Sequence, residues 1–163
     1  MQLYGCREEW QCFFAKFLLK KTAKIKDILI KKINKSDWWH VPPGDRFAYL
    51  KRGKFLASTY HQAEFYGRPN FYPEKVKIEN PVFGFSEFEI LKTLFGQTAE
   101  TKRLNDSNDN YNFYKKRIDL DAVMFQKAMS LGYDAIVLIC KSGKKALMQN
   151  KKPNSIELNL LHG

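Results

Sequence analysis

Cysteine is scarce in this chain, and the little present does not pair. Its 163 residues include only Cys6, Cys12 and Cys140. The count is odd and no His or Cys partner lies at metal-ligand spacing, which argues against a disulfide scaffold and a zinc site. Three reduced thiols in a cytoplasmic protein, with no bound metal, are the expectation. No apolar run approaches the ~20 residues of a membrane span. Arg7, Glu8 and Glu9 interrupt any apolar stretch at the start, so no signal peptide is expected and no membrane partner either. The sequence holds no Gly-x-x-x-x-Gly-Lys phosphate loop, no dinucleotide glycine fingerprint, no zinc pattern and no nucleophile elbow. Internal repeats are missing too.

Acidic residues are also in short supply. Seventeen Asp and Glu stand against 28 Lys and Arg, a formal net charge of +11. Such an excess suits an acidic partner, whether nucleic acid, an anionic protein face or a phosphate-bearing ligand, and equally a solvated lysine surface that keeps a small protein apart from its neighbours. Hydrophobic residues make up 44% and aromatics 15% of the chain, enough for one core in one domain.

Along the chain, Trp10, Phe13, Phe14, Phe17 and Leu18 recur at helical spacing, and Ile25, Ile28, Leu29 and Ile33 continue the pattern beyond a basic stretch. Residues 1–35 therefore read as a basic amphipathic helical segment, in one helix or two, preceding a domain at 36–163. Trp38 to Val41 reads as a short strand, Arg46 to Lys51 as a helical piece, and Phe55 to Ala57 as a second strand. Ser58 or Thr59 caps a helix from Tyr60 to Tyr66 that Gly67 closes. Glu74 to Glu79 alternates like a strand ended by Asn80-Pro81. Ser86 to Glu89 forms a capping box before a helix stopped by Gly96. Residues 97–112, rich in Asn and Asp, predict a long loop. A helix from Leu120 to Leu131 follows, then strands at Tyr133 to Ile139, Lys145 to Gln149 and Ser155 to Leu161, the last closing the sheet. Strands joined by hairpins after a run of mixed elements indicate an α+β fold.

Two stretches concentrate candidate chemistry. Trp38-Trp39-His40-Val41 ends a strand on a histidine, whose ring either hydrogen-bonds a sugar hydroxyl or is satisfied within an aromatic cluster. Gly53 to Gly67 carries Phe55, Ser58, Thr59 and Tyr66. Tyr66 offers a flat face or a core aromatic, and the two hydroxyls either meet an anion or ribose at the helix start or simply cap it.

In these residues the chain resembles the ADP-ribosyltransferase superfamily, in its His-Tyr-Glu branch of diphtheria-toxin and poly(ADP-ribose) polymerase type. The features are Trp38-Trp39-His40, the Gly-x-aromatic-x-Ala strand at Gly53 to Ala57, and Tyr66 eleven residues after Phe55. Gly132 to Val137 and Pro153 to Ile156 look like the end of small bacterial and phage members. The likeness covers Trp38 to Leu161. It implies a split, curved β-sandwich holding NAD as a substrate. His40 would contact a ribose, the Val41 backbone the nicotinamide amide, Phe55 and Tyr66 the two faces of its ring, and Ser58 and Thr59 the rim. The implied reaction cleaves the glycosidic bond through an oxocarbenium-like state and passes ADP-ribose to a nucleophile. The family places a Glu at the start of the penultimate strand; Lys145 to Asn150 has no acid there, so Gln149 is the catalytic candidate beside His40 and Tyr66, with Asp106, Asp109 or Glu157 as substitutes from flanking segments. The expected activity is mono-ADP-ribosyl transfer, a glycosyltransferase reaction, to an acidic macromolecule, a protein ahead of a nucleic acid. It suits a phage or bacterial effector that disables a host or rival factor in the cytoplasm. The alternative is a degenerate module of the same fold that binds a partner without catalysis.

Overall fold

The computed structural model describes residues 5–45, 47–96 and 113–162, with side chains from 20 onward in the first helix and from 115 in the fifth. The faces of Trp10 to Leu18, the thiols of Cys6 and Cys12, the loop at 97–112, and Asp106 and Asp109 within it lie outside the described residues.

The N-terminal pattern forms one helix, α1, Gly5–Lys35. Ile25, Leu29 and Ile33 recur every fourth position and are buried in the main core. The boundary expected at residue 35 thus falls at the end of a helix whose last turns are built into the domain. After it come β1 (Trp39–His40), α2 (Ala48–Arg52), β2 (Lys54–Ala57), α3 (Tyr60–Glu64), β3 (Pro81–Gly84) and α4 (Glu87–Phe95). The chain ends with α5 (Phe113–Ser130), β4 (Ala135–Ile139), α6 (Gly143–Met148) and β5 (Ile156–Leu160).

The protein is mixed α+β. Among the described residues the strands form one five-stranded sheet in the order β1-β2-β5-β4-β3. Only β3 and β4 pair in parallel, the other neighbours being antiparallel. The sheet is open: β1 and β3 are its edges, and β5, expected to close it, lies in the middle. Alternation along the strands separates two cores. Ala135, Val137, Ile139, Ile156, Leu158 and Leu56 face α1 and α6, whereas Ile136 and Leu138 face α4 and α5.

Two expected strands are corrected. Glu74 to Glu79 is extended and buries Val76 and Ile78, but it joins no ladder beyond a single bridge between Glu74 and Trp38. Side chains replace the neighbouring strand: Asn34 donates through Nδ2 to the Ile78 carbonyl at 2.9 Å and accepts from the Ile78 amide at 2.9 Å. The strand starts instead at Pro81, the first residue of an edge strand, where a missing N–H is tolerated. Lys145 to Gln149 is not a strand either. Lys145 to Met148 lie on α6, a six-residue helix capped by Gln149 that buries Leu147 and fits Gly143 against Ile139 and Pro153.

Helix ends follow local chemistry. The Ser86 hydroxyl accepts from the Glu89 amide, and the Glu89 carboxylate accepts in return from Phe85 N–H at 2.7 Å. Gly53, between α2 and β2, has φ +79° and ψ −172°, a region open to glycine alone. A Cβ there would sit 2.3 Å from Asn159 Oδ1 and 2.5 Å from the Leu160 carbonyl. Gly53→Ala is expected to destabilise the fold by about 3 kcal/mol, read as a lowered denaturant midpoint with an unchanged slope; an unchanged midpoint would show that the turn relaxes.

Candidate active site

The site grows from the meeting of β1, β2 and β5. The β1–β2 register sets Trp39 against Ala57 and His40 against Leu56. The β2–β5 register sets Phe55 against Asn159 and Ala57 against Glu157. Phe55, Glu157 and Asn159 therefore share one face, the same face against which α4 and α5 pack. They line a hollow there with Glu87 and Ile90 of α4 and Arg117, Asp121 and Met124 of α5.

Tyr66, one turn past α3, reaches back to this face. Its hydroxyl donates to Glu157 Oε1 at 2.8 Å, joining residues 91 positions apart. The residue is 59% exposed and its ring meets Phe65 at right angles, 5.3 Å between centres, so the hydroxyl is held while much of the side chain stays in water. Burial of the hydroxyl end, then the bond to Glu157 and its charge, push the phenol up to about 12, with Arg117 pulling the other way. Arg117 is itself clamped, by Glu87 through one guanidinium nitrogen and by Asp121 at 2.9 Å through the other. Burial works against its charge, but these two carboxylates hold its pKa above the ordinary value. Burial likewise raises Asp121, against the pull of Arg117.

The raised Tyr66 pKa has a definite sign. The folded state holds the phenolic proton more tightly than the unfolded chain, so its stabilisation is complete below pH ~10 and is lost as pH climbs towards 12. In ¹³C-tyrosine NMR one resonance is expected to titrate near 12, and Glu157→Gln should bring it part of the way down, since burial is the larger cause. A midpoint indifferent to that substitution would break the assignment.

His40 is only 4% exposed, and both ring nitrogens are engaged. Nδ1 lies 2.7 Å from the Phe55 carbonyl, which only accepts, so Nδ1 carries a proton; Nε2 lies 2.8 Å from the Tyr49 hydroxyl. The histidine ties α2 and β2 to β1. Its carbonyl is taken by Asn70 N–H at 2.9 Å. Val41 follows at the strand end, its side chain close against Gly67. Ser58 is buried, donating to Gln62 Oε1 at 3.0 Å and accepting from Ile156 N–H at 3.2 Å. The Thr59 hydroxyl caps α3 by accepting from Gln62 N–H at 3.1 Å. Both hydroxyls serve the scaffold.

Gln149 is not brought to this place. It ends α6, in a separate hollow with Ser142, Lys145 and Asn154. The acid beside Tyr66 is Glu157, legible in sequence only as a substitute. Its signal is alternation: in Ile156-Glu157-Leu158-Asn159 the acid and amide fall opposite the apolar pair. Arg117, Glu87 and Asp121 carried no signal in the sequence reading. Among the described residues no three His, Cys, Asp or Glu side chains are grouped to hold a metal ion, and no helix is long and apolar enough to cross a membrane.

No family model, characterised protein or solved structure matches this chain. Any functional reading therefore rests on the geometry itself.

Proposed function

We propose that the protein is an NAD-dependent mono-ADP-ribosyltransferase that modifies an acidic macromolecule. The observation that carries the reading is Glu157, on a central strand, bonded to the Tyr66 hydroxyl and one strand away from Phe55. The order of a strand ending in His40, a strand holding Phe55 and a short helix leading to Tyr66 supports a fold of ADP-ribosyltransferase type, and Glu157 supplies the acid that Lys145 to Asn150 does not.

The residues fit a flat, amide-bearing ring followed by a ribose. Phe55 and Tyr66 both present partly exposed aromatic faces near the carboxylate. Tyr66 takes one carboxylate oxygen, and the proposal assigns the other to a ribose hydroxyl. NAD supplies a glycosidic bond whose cleavage releases nicotinamide and leaves ADP-ribose for the acceptor nucleophile. Glu157 contributes negative charge at the carbon where positive charge develops, the kind of preorganised stabilisation that dominates many active sites. Tyr66 aims that carboxylate, and the Glu87–Arg117–Asp121 clamp fixes the wall behind it. His40 acts as a positioning residue, holding Tyr49 and the Phe55 carbonyl.

The test is incubation of the purified chain with NAD and candidate acceptors. Nicotinamide release and a single ADP-ribose addition in intact-mass spectra are expected, and His40→Ala should reduce both. Absence of release and of any added mass, with His40→Ala behaving like the unchanged chain, would reject the reading. One observation favours the alternative of a non-catalytic binding module: neither His40 nitrogen is free for a ribose. Undetectable NAD binding at millimolar concentration would select it.

A further inference from the structure

Three large aromatic side chains beside the site lie largely in water, although Phe65 meets the Tyr66 ring edge-on at 5.3 Å. Phe65 is 86% exposed, Phe71 80% and Tyr72 84%. Leaving such rings in water forgoes the stabilisation that burial would bring. The segment bearing two of them is fixed at both ends. Asn70 N–H donates to the His40 carbonyl at 2.9 Å, and Glu74 and Trp38 exchange backbone bonds at 2.8 and 3.0 Å. Phe71 and Tyr72 are thus presented outward from a segment pinned to β1. The Arg68 guanidinium lies 5.5 Å from the Phe71 ring centre, adding a cation to the platform.

A basic surface continues from this platform. Lys141, Lys144, Lys145, Lys151 and Lys152 fall within twelve residues that include no Asp or Glu. Lys145, Lys151 and Lys152 border an open hollow with Ser142 and Asn154. Lys152 Nζ lies 5.8 Å from the Trp38 ring, the residue whose backbone pins Glu74. Trp38, itself buried, thus links the end of the lysine run to the anchor of the segment bearing Phe71 and Tyr72. Of the acids near the aromatic platform, Glu74 is matched by Lys54 at 2.6 Å, Asp45 by Lys51 at 3.6 Å and Asp37 by Lys75 at 2.8 Å. The chain as a whole carries a formal net charge of +11.

We infer that this joined aromatic and basic surface binds single-stranded nucleic acid, its bases stacking on Phe71 and Tyr72 and its phosphates following Arg68 and the lysines of residues 141–152. Exposed rings interleaved with cations suit a ligand that offers a flat face and a negative charge in every repeat. An acidic protein would use the lysines and leave the rings idle. The inference stands apart from the NAD reading, since it uses neither Glu157 nor Tyr66.

The test is fluorescence anisotropy of the full chain, without NAD, on a labelled oligothymidylate of about twenty nucleotides and on an abasic strand of equal length. The expected result is at least tenfold tighter binding to the strand with bases. Phe71→Ala/Tyr72→Ala should lose about tenfold or more on that strand with an unchanged melting temperature. Lys145→Gln/Lys151→Gln should flatten the salt dependence by about 0.7 per lost phosphate contact. Equal binding to both strands with no effect of the aromatic variant would overturn the inference. So would no binding to either strand, or aromatic-dependent capture by anionic lipid vesicles or polyglutamate in place of the oligonucleotide.

Discussion

Glu157→Gln is expected to slow nicotinamide release from NAD by about 10²- to 10³-fold, the scale on which a single preorganised electrostatic partner acts in a transition state. The substitution keeps size and hydrogen-bonding ability and removes the charge. Tyr66 can still donate to the amide oxygen, so the local frame at 2.8 Å should survive and the melting temperature should change little. A fall in turnover with little change in the affinity for NAD marks an interaction made chiefly in the transition state. Equal turnover by the two proteins would remove Glu157 from the chemistry. Tyr66→Phe is the companion: it keeps the ring and frees the carboxylate, so it should cost less than Glu157→Gln and shift the pH profile.

Trp38→Ala should have the largest effect on stability. Trp38 is fully buried, packs in the core between α1 and the sheet, and donates through its indole N–H to the Ile33 carbonyl at 3.0 Å. Truncation leaves a large cavity and removes one of the two bonds to that carbonyl, which keeps the Ser36 N–H at 3.1 Å, a loss of about 3–5 kcal/mol. For a chain of this size that corresponds to a fall in melting temperature of roughly 10–15 °C. Trp38→Phe keeps most of the volume and should lose about half as much. The same residue holds Glu74 by its backbone, so the segment carrying Phe71 and Tyr72 should lose its amide-exchange protection in Trp38→Ala ahead of β4. A melting temperature unchanged within a few degrees would contradict this packing.

Local signals were legible where they are complete in themselves. The cap formed by Ser86 and Glu89 and the stop at Gly96 lie where residue type alone places them. The strand from Lys54 to Ala57 and the turn through Thr59 into α3 follow the same rule. Local pattern misled in two places. Val76 and Ile78 alternate inward, yet Asn34 from α1 supplies the backbone partners of Ile78, a contact 44 residues distant that no local pattern announces. Lys145 to Gln149 follows a Ser-Gly turn as the second arm of a hairpin would, but one buried apolar side chain, Leu147, suffices to seat a short helix there. The site shows the same limit. His40, Phe55 and Tyr66 stand out because they sit near one another in the chain. Glu157 stands out only as one of three substitute acids, and the clamp of Glu87, Arg117 and Asp121 not at all, because sheet order and helix packing, not spacing, bring them to Tyr66.

The central claim is that the face carrying Phe55, Tyr66 and Glu157 holds NAD by its nicotinamide end. Calorimetric titration of NAD into the full chain and into Tyr66→Ala tests it most directly. The account predicts saturable binding to the unchanged chain and at least tenfold weaker binding to Tyr66→Ala, with nicotinamide alone competing. No heat of binding at millimolar NAD, or equal affinity in both proteins, would contradict it.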